Sequence, residues 1–285
     1  MDINLRVGTM ADAERCGEIC YEAFDAIASA HRFPPDFDSV ASAIKTLTRI
    51  FEAPEFYGVV AEVDGEIAGS NFLDERGTIM GLGPITVDVN GQNSGVGRML
   101  MQHMLDRSAE KGRAGVRLFQ SAYHNRSLSL YAKLGFVARE PVSVMVGDPV
   151  GVEIPGYSVR PVREVDAEAC NAVCGKVHGY KRAGELRDAI RWGHPLLVEH
   201  GGRVTGYATT LGSAGHSVGE SNLEIKALIG AATSYRGSGI VVPTRNADLF
   251  RWCLDQGLKV SFPGTMMSVG FYNEPQGGYL PSTLA

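Results

Sequence analysis

The chain has 285 residues, of which 44% are hydrophobic and 21% charged, and its formal net charge is −5 at pH 7. This is the composition of a globular protein long enough for two domains of ordinary size. The sequence has no block of like charges and no apolar run of membrane-spanning length, so it predicts neither a nucleic-acid nor a membrane partner. Residues 1–4 lack the basic and apolar regions of a signal peptide, and we therefore expect a cytoplasmic protein.

The first half of the sequence predicts helices and strands that alternate. A break at Phe33-Pro34-Pro35 separates two helices, and a turn at Asp64-Gly65 joins two strands as a hairpin. In chain order, the predicted elements are strand 3–8, helix 10–29, helix 38–51, strands 57–63, 66–74 and 78–89, helix 98–111, strand 116–121, helix 125–134, and strands 136–140 and 142–147.

The most informative segment is a glycine-containing loop between a predicted strand and a predicted helix. β-Branched residues at 85–87 lead into it, and its residues are Gln92, Asn93, Ser94, Gly95, Val96, Gly97 and Arg98. The glycines allow a tight turn and a close approach of the backbone to a ligand, because no Cβ intervenes. The free N–H groups of the following helix would point to one place, with the positive end of the helix dipole behind them. The segment therefore predicts a pyrophosphate-binding site.

The residues of this loop exclude two nucleotide-binding motifs. A P-loop requires Lys and then Ser or Thr after the glycine at position 97, and a dinucleotide fingerprint requires glycine where Leu100 stands. With Gln92, Gly95 and Gly97 in the defining positions, the loop resembles the Gln/Arg-x-x-Gly-x-Gly/Ala loop of the GNAT acyltransferase superfamily, which binds the pyrophosphate of acetyl-CoA. Taken alone, the pattern also fits an ordinary strand–helix turn.

A second segment, 125–136, adds to the resemblance. It predicts a short helix that begins at Asn125, contains Tyr131 and ends before Gly135 in a Leu-Gly-Phe sequence. This is similar to the second GNAT signature. The resemblance implies that Asn125 hydrogen-bonds the arm of the cofactor and that the hydroxyl of Tyr131 lies near the thioester sulfur. Outside that family, Asn125 would be an N-cap and Tyr131 a packed aromatic side chain.

The resemblance implies a fold and a reaction. The fold is α+β, with a mixed, mostly antiparallel sheet and flanking helices. Two central parallel strands, ending near Val89 and Ser121, splay apart to admit the pantetheine arm beside the backbone of Ile85–Val87. The reaction is the transfer of acetyl, or another short acyl group, from acetyl-CoA to a primary amine of a small molecule or peptide, by direct attack on the thioester. The resemblance assigns the proton for the departing thiolate to Tyr131, and a backbone N–H near Val87 is the expected oxyanion donor.

The attacking amine must lose a proton, so a base near the cofactor is expected. Asp74 and Glu75 are the candidate bases, because they lie at the turn that leads into the cofactor-binding strand. Asp88 and His124 are further candidates. Each carboxylate also fits a solvated turn or strand end, and His124 fits a solvent-facing loop. A protein that binds acyl-CoA as a sensor or scaffold, without turnover, is the alternative function.

Five cysteines stand at positions 16, 20, 170, 174 and 253. An odd number in a chain without an export signal favours free thiols. The members of two pairs lie four positions apart on predicted helices and so share a helix face. No His or Cys at short spacing supplies further ligands for a metal, so we expect small buried side chains and no metal site.

The cysteine pairs belong to an internal duplication. Three segments recur in the same order, namely 6–20 as 160–174, 65–69 as 202–206, and 125–135 as 246–257. Ordered matches whose offsets shrink along the chain indicate two copies of one domain. We place the copies at 1–147 and 157–285, joined by a Gly/Pro-rich linker.

The second copy is expected to be degenerate at the cofactor site. It is shorter in the interval that holds the glycine loop, and its similar run at 236–239 is followed by residues 240–243, which predict a strand rather than a helix. The second copy would then either cover the acceptor cleft of the first or stack on the first copy and extend its sheet. Its tail offers polar and aromatic groups that either line a pocket or seal an edge strand, namely Tyr272, Asn273, Glu274 and Tyr279.

The acidic balance of the chain argues against a polyanionic acceptor and leaves small amines, polyamines, amino sugars and peptide N-termini open. The covalent tandem can supply the pairing that single GNAT domains obtain by dimerising, so both a monomer and a homodimer are expected states.

Overall fold

The computed structural model describes residues 2–284, which form two β-sheets flanked by α-helices. The strands are β1 (Ile3–Val7), β2 (Phe56–Val63), β3 (Glu66–Asp74), β4 (Ile79–Leu82), β5 (Thr86–Val87), β6 (Gly115–Ser121), β7 (Val137–Val146), β8 (Ser158–Pro161), β9 (Leu196–His200), β10 (Arg203–Ala208), β11 (Ser217–Gly219), β12 (Ile240–Pro243), β13 (Lys259–Gly270) and β14 (Gly278–Leu280). The α-helices are α1 (Ala13–His31), α2 (Val40–Glu52), α3 (Val96–Glu110), α4 (Asn125–Lys133), α5 (Ala167–His178), α6 (Ala183–Trp192), α7 (Asn222–Ala231) and α8 (Ala247–Asp255). Over residues 2–284, no helix combines the length and the hydropathy needed to cross a bilayer.

The first sheet is mixed and mostly antiparallel, as predicted. Its strand order is β1-β2-β3-β4-β6-β13-β7-β12, and β5 pairs with β3 outside this path. The central neighbours β4 and β6 run parallel, whereas the other neighbours in the described chain are antiparallel. The second sheet has the order β14-β11-β10-β9-β8 and is antiparallel. The predicted α+β class with a central parallel pair is therefore confirmed.

Strand β13, from the second half of the sequence, lies inside the first sheet. Gly264 of β13 is opposite Ser121 of β6 on one side and opposite Val142 of β7 on the other. Strand β12, also from the second half, pairs with the far side of β7. The predicted boundaries, 1–147 and 157–285, divide the chain by sequence, but the hydrogen bonds of the first sheet cross that division.

Two prolines explain the main differences between the predicted and the observed strands. The predicted strand 78–89 is divided into β4 and β5, because Gly83 has a φ of 129° and Pro84 has no N–H to pair. The predicted strands 136–140 and 142–147 instead form one strand, β7. Pro141 is tolerated within it because the neighbouring strand β12 ends at Pro243, opposite Val142, so no strand residue requires the missing N–H.

The two copies repeat the same ion-pair network. In each copy an arginine of the first strand bridges an aspartate at the start of the following helix and a glutamate of the second strand. The nitrogen–oxygen distances are 2.7 and 2.6 Å in the first copy (Arg6, Asp12 and Glu62) and 2.7 and 2.7 Å in the second (Arg160, Asp166 and Glu199). The five cysteines are buried and free, as predicted. These shared contacts support the duplication read from the sequence.

Helices cover both faces of the first sheet and fix the segments that border its centre. Leu100, Met101 and Met104 of α3 are fully buried against one face. Helices α1 and α2 cover the other face and approach closely at Gly17, where a Cβ would lie 2.5 Å from the Cα of Ile44. This close packing positions the α1–α2 loop, residues 32–39.

Candidate functional site

The parallel strands β4 and β6 separate after a short paired segment. Their pairing covers Ile79–Gly81 of β4, and beyond it β5 pairs with β3 instead of β6. Residues 82–87 and 118–121 therefore line the two sides of a gap in the sheet. The predicted splay of the central strands is confirmed.

The backbone of β5 presents hydrogen-bonding groups to this gap. The N–H of Asp88 donates to the carbonyl of Ala68 in β3 at 2.9 Å. Successive residues of a strand direct their backbone groups to opposite sides. The N–H and C=O of Val87 therefore face away from β3 and toward the gap, where they can bind an extended ligand or an oxyanion.

The glycine loop ends at an open helix N-terminus. Gly95 is the N-cap of α3 with a φ of 98°, a conformation that favours glycine, and within residues 2–284 no side chain caps this helix end. A Cβ on Gly95 would meet nothing within 4 Å, and a Cβ on Gly97 would make only ordinary contacts, 3.6 Å from Val87. The first N–H groups of α3 thus face open space with the positive end of the helix dipole behind them.

Two arginines surround this helix end. Arg98 is exposed at the start of α3, and Arg126 of α4 donates from Nη2 to the side-chain oxygen of Gln92. Both arginines line the same cavity as the loop. Guanidinium groups beside uncapped backbone N–H groups form an environment suited to a diphosphate, so the residues present fit the pyrophosphate of CoA.

The cavity is large enough for a cofactor and an acceptor together. Its volume is about 1220 Å³, above the range of about 300–1,000 Å³ typical of small-molecule sites. It runs from the glycine loop through the gap to the α1–α2 loop, and the second copy contributes Ser213, Ser238 and Thr283 to its wall.

Most of the predicted cofactor-binding residues line this cavity. They are Ile85, Val87, Gln92, Asn93, Gly95, Gly97, Arg98 and Tyr131. The hydroxyl of Ser94 instead donates to the carbonyl of Gly91, and Val96 is buried in the core. Asn125 is exposed at the first turn of α4 and is not part of the wall.

Tyr131 stands at the wall of the cavity as a neutral phenol. Its side chain is 7% exposed, and burial raises its pKa above the ordinary value. The hydroxyl therefore keeps its proton at neutral pH and can donate it.

The structure does not bring Asp74 and Glu75 to the cavity. Asp74 pairs with Arg76 at 2.6 Å, and Glu75 pairs with Arg107 at 2.5 Å and with Lys111 at 2.9 Å. Burial alone would raise the pKa of Glu75, but the hydrogen bonds from Arg107 and Lys111 outweigh burial and lower it. Strands β3 and β4 are antiparallel, so the turn between them lies at the end of the sheet opposite the loop and the gap.

Asp36 of the α1–α2 loop is a carboxylate that sequence reasoning missed. It lines the cavity, and burial raises its pKa to about 6. Its Oδ2 atom is buried without a hydrogen-bond partner among residues 2–284. The only sequence signal was its position between two aromatic residues, Phe33 and Phe37, after the Pro-Pro break. A carboxylate with a pKa of about 6 is ionised at pH 7 and suits a general base.

The other candidate bases are less suitable. His124 lines the cavity, but burial, Arg126 and His31 lower its pKa to about 4, which makes it a weaker base than Asp36. Asp88 caps the turn at residues 89–91 and pairs with Arg15 at 3.0 Å, outside the cavity wall.

Two further polar atoms lie buried beside the gap. The Oγ1 of Thr86 and the Oε1 of Gln120 are buried and have no hydrogen-bond partner in the described chain, although both residues line the cavity. Buried polar atoms are normally hydrogen-bonded, so these two indicate a polar ligand or water in the gap.

The second copy has closed the corresponding helix end. At the start of α7, Ser221 Oγ accepts from the N–H of Leu223, and Glu224 Oε2 accepts from the N–H of Ser221 at 2.8 Å. A carboxylate of the chain thus lies where an anion would bind. Residues 240–243, after the glycine run 236–239, form β12, which confirms the predicted strand.

Comparison with known proteins identifies the class that this fold and cavity define. Residues 54–138, which contain the gap, the loop and α4, match the model of the acetyltransferase (GNAT) domain. No curated protein sequence matches the chain. This segment of the chain is therefore similar to a GNAT acetyltransferase domain.

Solved structures resemble the chain over nearly its whole length. A "putative acetyltransferase" from Pyrococcus horikoshii has a TM-score of 0.74 at 17% identity, covering 97% of this chain and 91% of that one. A GCN5-related N-acetyltransferase from Sphaerobacter thermophilus has 0.59 at 15%, covering 95% and 96%. A tandem GNAT protein from the clavulanic acid biosynthesis pathway has 0.57 at 13%, covering 94% and 98%. These likenesses show that the chain as a whole shares the fold of a tandem GNAT protein.

Proposed function

We propose that this protein transfers an acetyl or short acyl group from CoA to a primary amine of a small molecule or peptide, by direct attack of the amine. One observation carries the proposal: a single cavity joins the open N-terminus of α3 to the carboxylate of Asp36, whose buried Oδ2 atom has no hydrogen-bond partner in the described chain. One end of this cavity suits a diphosphate and the other an ammonium group.

The residues that would hold acetyl-CoA follow from the chemistry of each part of the cavity. The N–H groups at Gly95–Gly97 with Arg98 and Arg126 suit the pyrophosphate, and the carbonyl of Val87 suits an amide N–H of the pantetheine arm. When bound, acetyl-CoA would supply the acyl thioester.

Three groups of the chain would serve the acyl transfer. Asp36 accepts the proton that the acceptor ammonium loses before its nitrogen attacks the carbonyl carbon. The N–H of Val87 stabilises the negative charge that develops on the carbonyl oxygen. As the C–S bond breaks, Tyr131 gives its proton to the sulfur, and the surplus proton that the attacking nitrogen still carries returns to the phenolate and restores the phenol.

The walls near Asp36 favour an amine on an apolar or aromatic body. Phe24 and Phe37 lie on one side and Phe119 and Phe262 on the other. An aliphatic polyamine would leave most of its charges without partners in this part of the cavity. We propose that the acceptor is a small molecule. We also propose that the enzyme is cytoplasmic and is either a monomer or a homodimer.

The test combines binding with turnover. Calorimetry should show one acetyl-CoA site per chain, and release of free CoA thiol should be faster with 2-phenylethylamine than with a polyamine. The rate should rise with pH through an apparent pKa near 6, because the base must be ionised. Asp36→Asn should lower kcat/KM about 10²–10³-fold and flatten this profile, whereas Asp38→Asn, at an exposed position on the same wall, should change neither.

Acetyl-CoA binding without turnover of any amine would contradict the enzyme and leave the acyl-CoA-binding sensor. Absence of binding would contradict both.

A further inference from the structure

A second cavity, distinct from the first, lies between the two copies. Its volume is about 70 Å³, and residues of both halves of the chain form its walls. Such a volume holds a few water molecules or a small ion. Its polar lining includes three arginines, of which Arg117 comes from β6, Arg139 from β7 and Arg182 from the α5–α6 loop.

Arg117 is a buried cation without a carboxylate partner in residues 2–284. Its Nη1 donates to the hydroxyl of Tyr180, and its Nε is buried with no hydrogen-bond partner in that range. Burial and the nearby charge of Arg182 lower its pKa, but a guanidinium remains protonated in proteins. A buried charge without a counter-charge is unfavourable, so this position favours an anion.

The neighbouring cations leave the charge of Arg117 uncompensated. Arg139 donates from Nε to the hydroxyl of Ser268 at 2.9 Å and lies 4.7 Å from the ring centroid of Tyr272, with no ion pair in the described chain. The side chain of Arg182 already pairs with Glu185 at 2.6 Å.

The carboxylates nearby are engaged elsewhere. Glu185 also lies 3.2 Å from Nδ1 of His216, and Glu140 pairs with Arg245 at 2.7 Å and accepts from Tyr279 at 3.2 Å. The histidines add no negative charge, and burial lowers the pKa of His216 to about 4. The cavity wall therefore carries a net positive charge.

This cavity occupies the place in the second copy that the acceptor pocket occupies in the first. In both copies the loop between the first two long helices contributes to it, with Asp36 in copy one and Tyr180 and Arg182 in copy two.

We propose that the inter-copy cavity binds a small oxyanion, of the size of a carboxylate group or inorganic phosphate, on the guanidinium groups of Arg117 and Arg139. The planar guanidinium matches the two oxygens of such an anion. The second copy thus retains a ligand pocket, with the charge preference opposite to that of the first.

Thermal unfolding of the full chain at fixed ionic strength tests the proposal with acetate, phosphate and chloride. Acetate or phosphate should raise the unfolding temperature saturably, by about 5 °C at high concentration, with little effect of chloride. The two oxyanions separate a carboxylate site from a phosphate site. Arg117→Met should abolish the response and should unfold no earlier than the wild type without anion, because an unpaired buried charge is removed.

Three further variants make the result decisive. Arg117→Lys should keep part of the response, and Arg203→Met, which removes an exposed arginine that does not line the cavity, should keep all of it. Gly97→Asp should also keep it, since that variant closes the other anion site. No response in the wild type, a response that survives in Arg117→Met, or one lost in Gly97→Asp would overturn the proposal.

Discussion

The starts of helices α3 and α7 occupy the same place in two copies of one fold, yet they have opposite chemistry. Gly95 leaves the first N–H groups of α3 open to the large cavity. At α7, Ser221 and Glu224 satisfy them with a side-chain capping box, and Glu224 is 3% exposed. The N-terminus of a helix can therefore bind an anion when no side chain of the protein caps its first N–H groups.

The two copies differ in the same way at the acceptor pocket of the first copy and at the corresponding cavity of the second. In the first copy the buried Oδ2 atom of Asp36 has no hydrogen-bond partner among residues 2–284, whereas in the second Glu185 is shared by Arg182 and His216. Burial would raise the pKa of Glu185, but Arg182 and His216 lower it well below its ordinary value. The carboxylate without a partner among the described residues lies in the copy that we propose is catalytic. The paired carboxylate lies in the other copy, where it stabilises the fold.

The largest expected effect is a difference of sign between two carboxylate-to-amide changes. Asp36→Asn should raise the free energy of unfolding by up to about 3 kcal/mol at pH 8, since the folded pKa of about 6 exceeds the unfolded value of 3.8. The gain should be complete above about pH 7, fall below about 1 kcal/mol near pH 4, and vanish near pH 2, where Asp36 is protonated in both states. Glu185→Gln should instead cost about 3–5 kcal/mol, because Arg182 loses its counter-charge.

Denaturant unfolding at pH 8 and pH 4 measures both changes. The contrast between the copies fails if the two variants shift stability in the same direction at pH 8.

The second-largest expected effect is that of a negative charge introduced at the second residue of α3, compared with the same change in α7. Gly97→Asp should weaken acetyl-CoA binding at least about 10³-fold, or about 4 kcal/mol, because a carboxylate then occupies the anion site. The protein should still fold, since a Cβ at Gly97 makes ordinary contacts. Leu223→Asp, at the equivalent exposed position of α7, is the matched control and should bind acetyl-CoA like the wild type. Equal loss in both variants, by calorimetry, would refute the assignment of the site to α3.

The matched aromatic positions in α4 and α8 give the third effect. Tyr131→Phe should lower kcat about 10²-fold or more while the acetyl-CoA dissociation constant stays within about threefold. Trp252 occupies the corresponding place in α8 and packs in the second core, so Trp252→Phe should leave kcat unchanged. Steady-state kinetics and calorimetry report the two quantities separately. An unchanged kcat in Tyr131→Phe would remove this residue from the chemistry.

The smallest expected effect concerns the cap of α7. Ser221→Ala should lower the free energy of unfolding by about 1 kcal/mol, because the N–H of Leu223 loses its acceptor. It should create no acetyl-CoA site, since Glu224 remains. Ser129→Ala, at an exposed hydroxyl of α4, should stay within about 0.5 kcal/mol of the wild type. Chemical denaturation measures both, and acetyl-CoA binding by Ser221→Ala would show that capping alone does not close the second copy.

Local features of the fold could be predicted from the sequence, because short segments determine them. The loop at Gly95 and Gly97, helix α4 and the hairpin at Asp64-Gly65 each depend on residues within a few positions. The insertion of β13 between β6 and β7 could not be predicted in this way, since it joins residues from opposite halves of the chain.

The part of the candidate site that the glycine loop forms was predicted from the sequence. The candidate base was not, because its position depends on the direction of the strands and on the packing of the helices. Asp74 and Glu75 are close to the cofactor strand in sequence, but the antiparallel turn places them at its far end, beside Arg107. Asp36 is distant in sequence and reaches the cavity only through the packing of α1 on α2. Proximity along the chain misled in the first case and gave no signal in the second.

The position of β13 has a consequence for synthesis on the ribosome. When residue 147 has been made, β6 and β7 have no strand between them and expose unpaired edges, which invite aggregation. The missing strand is translated on the order of ten seconds later. The sheet of the amino-terminal half is therefore complete only after the carboxyl-terminal half has been made. A chaperone that binds nascent chains would act during that interval.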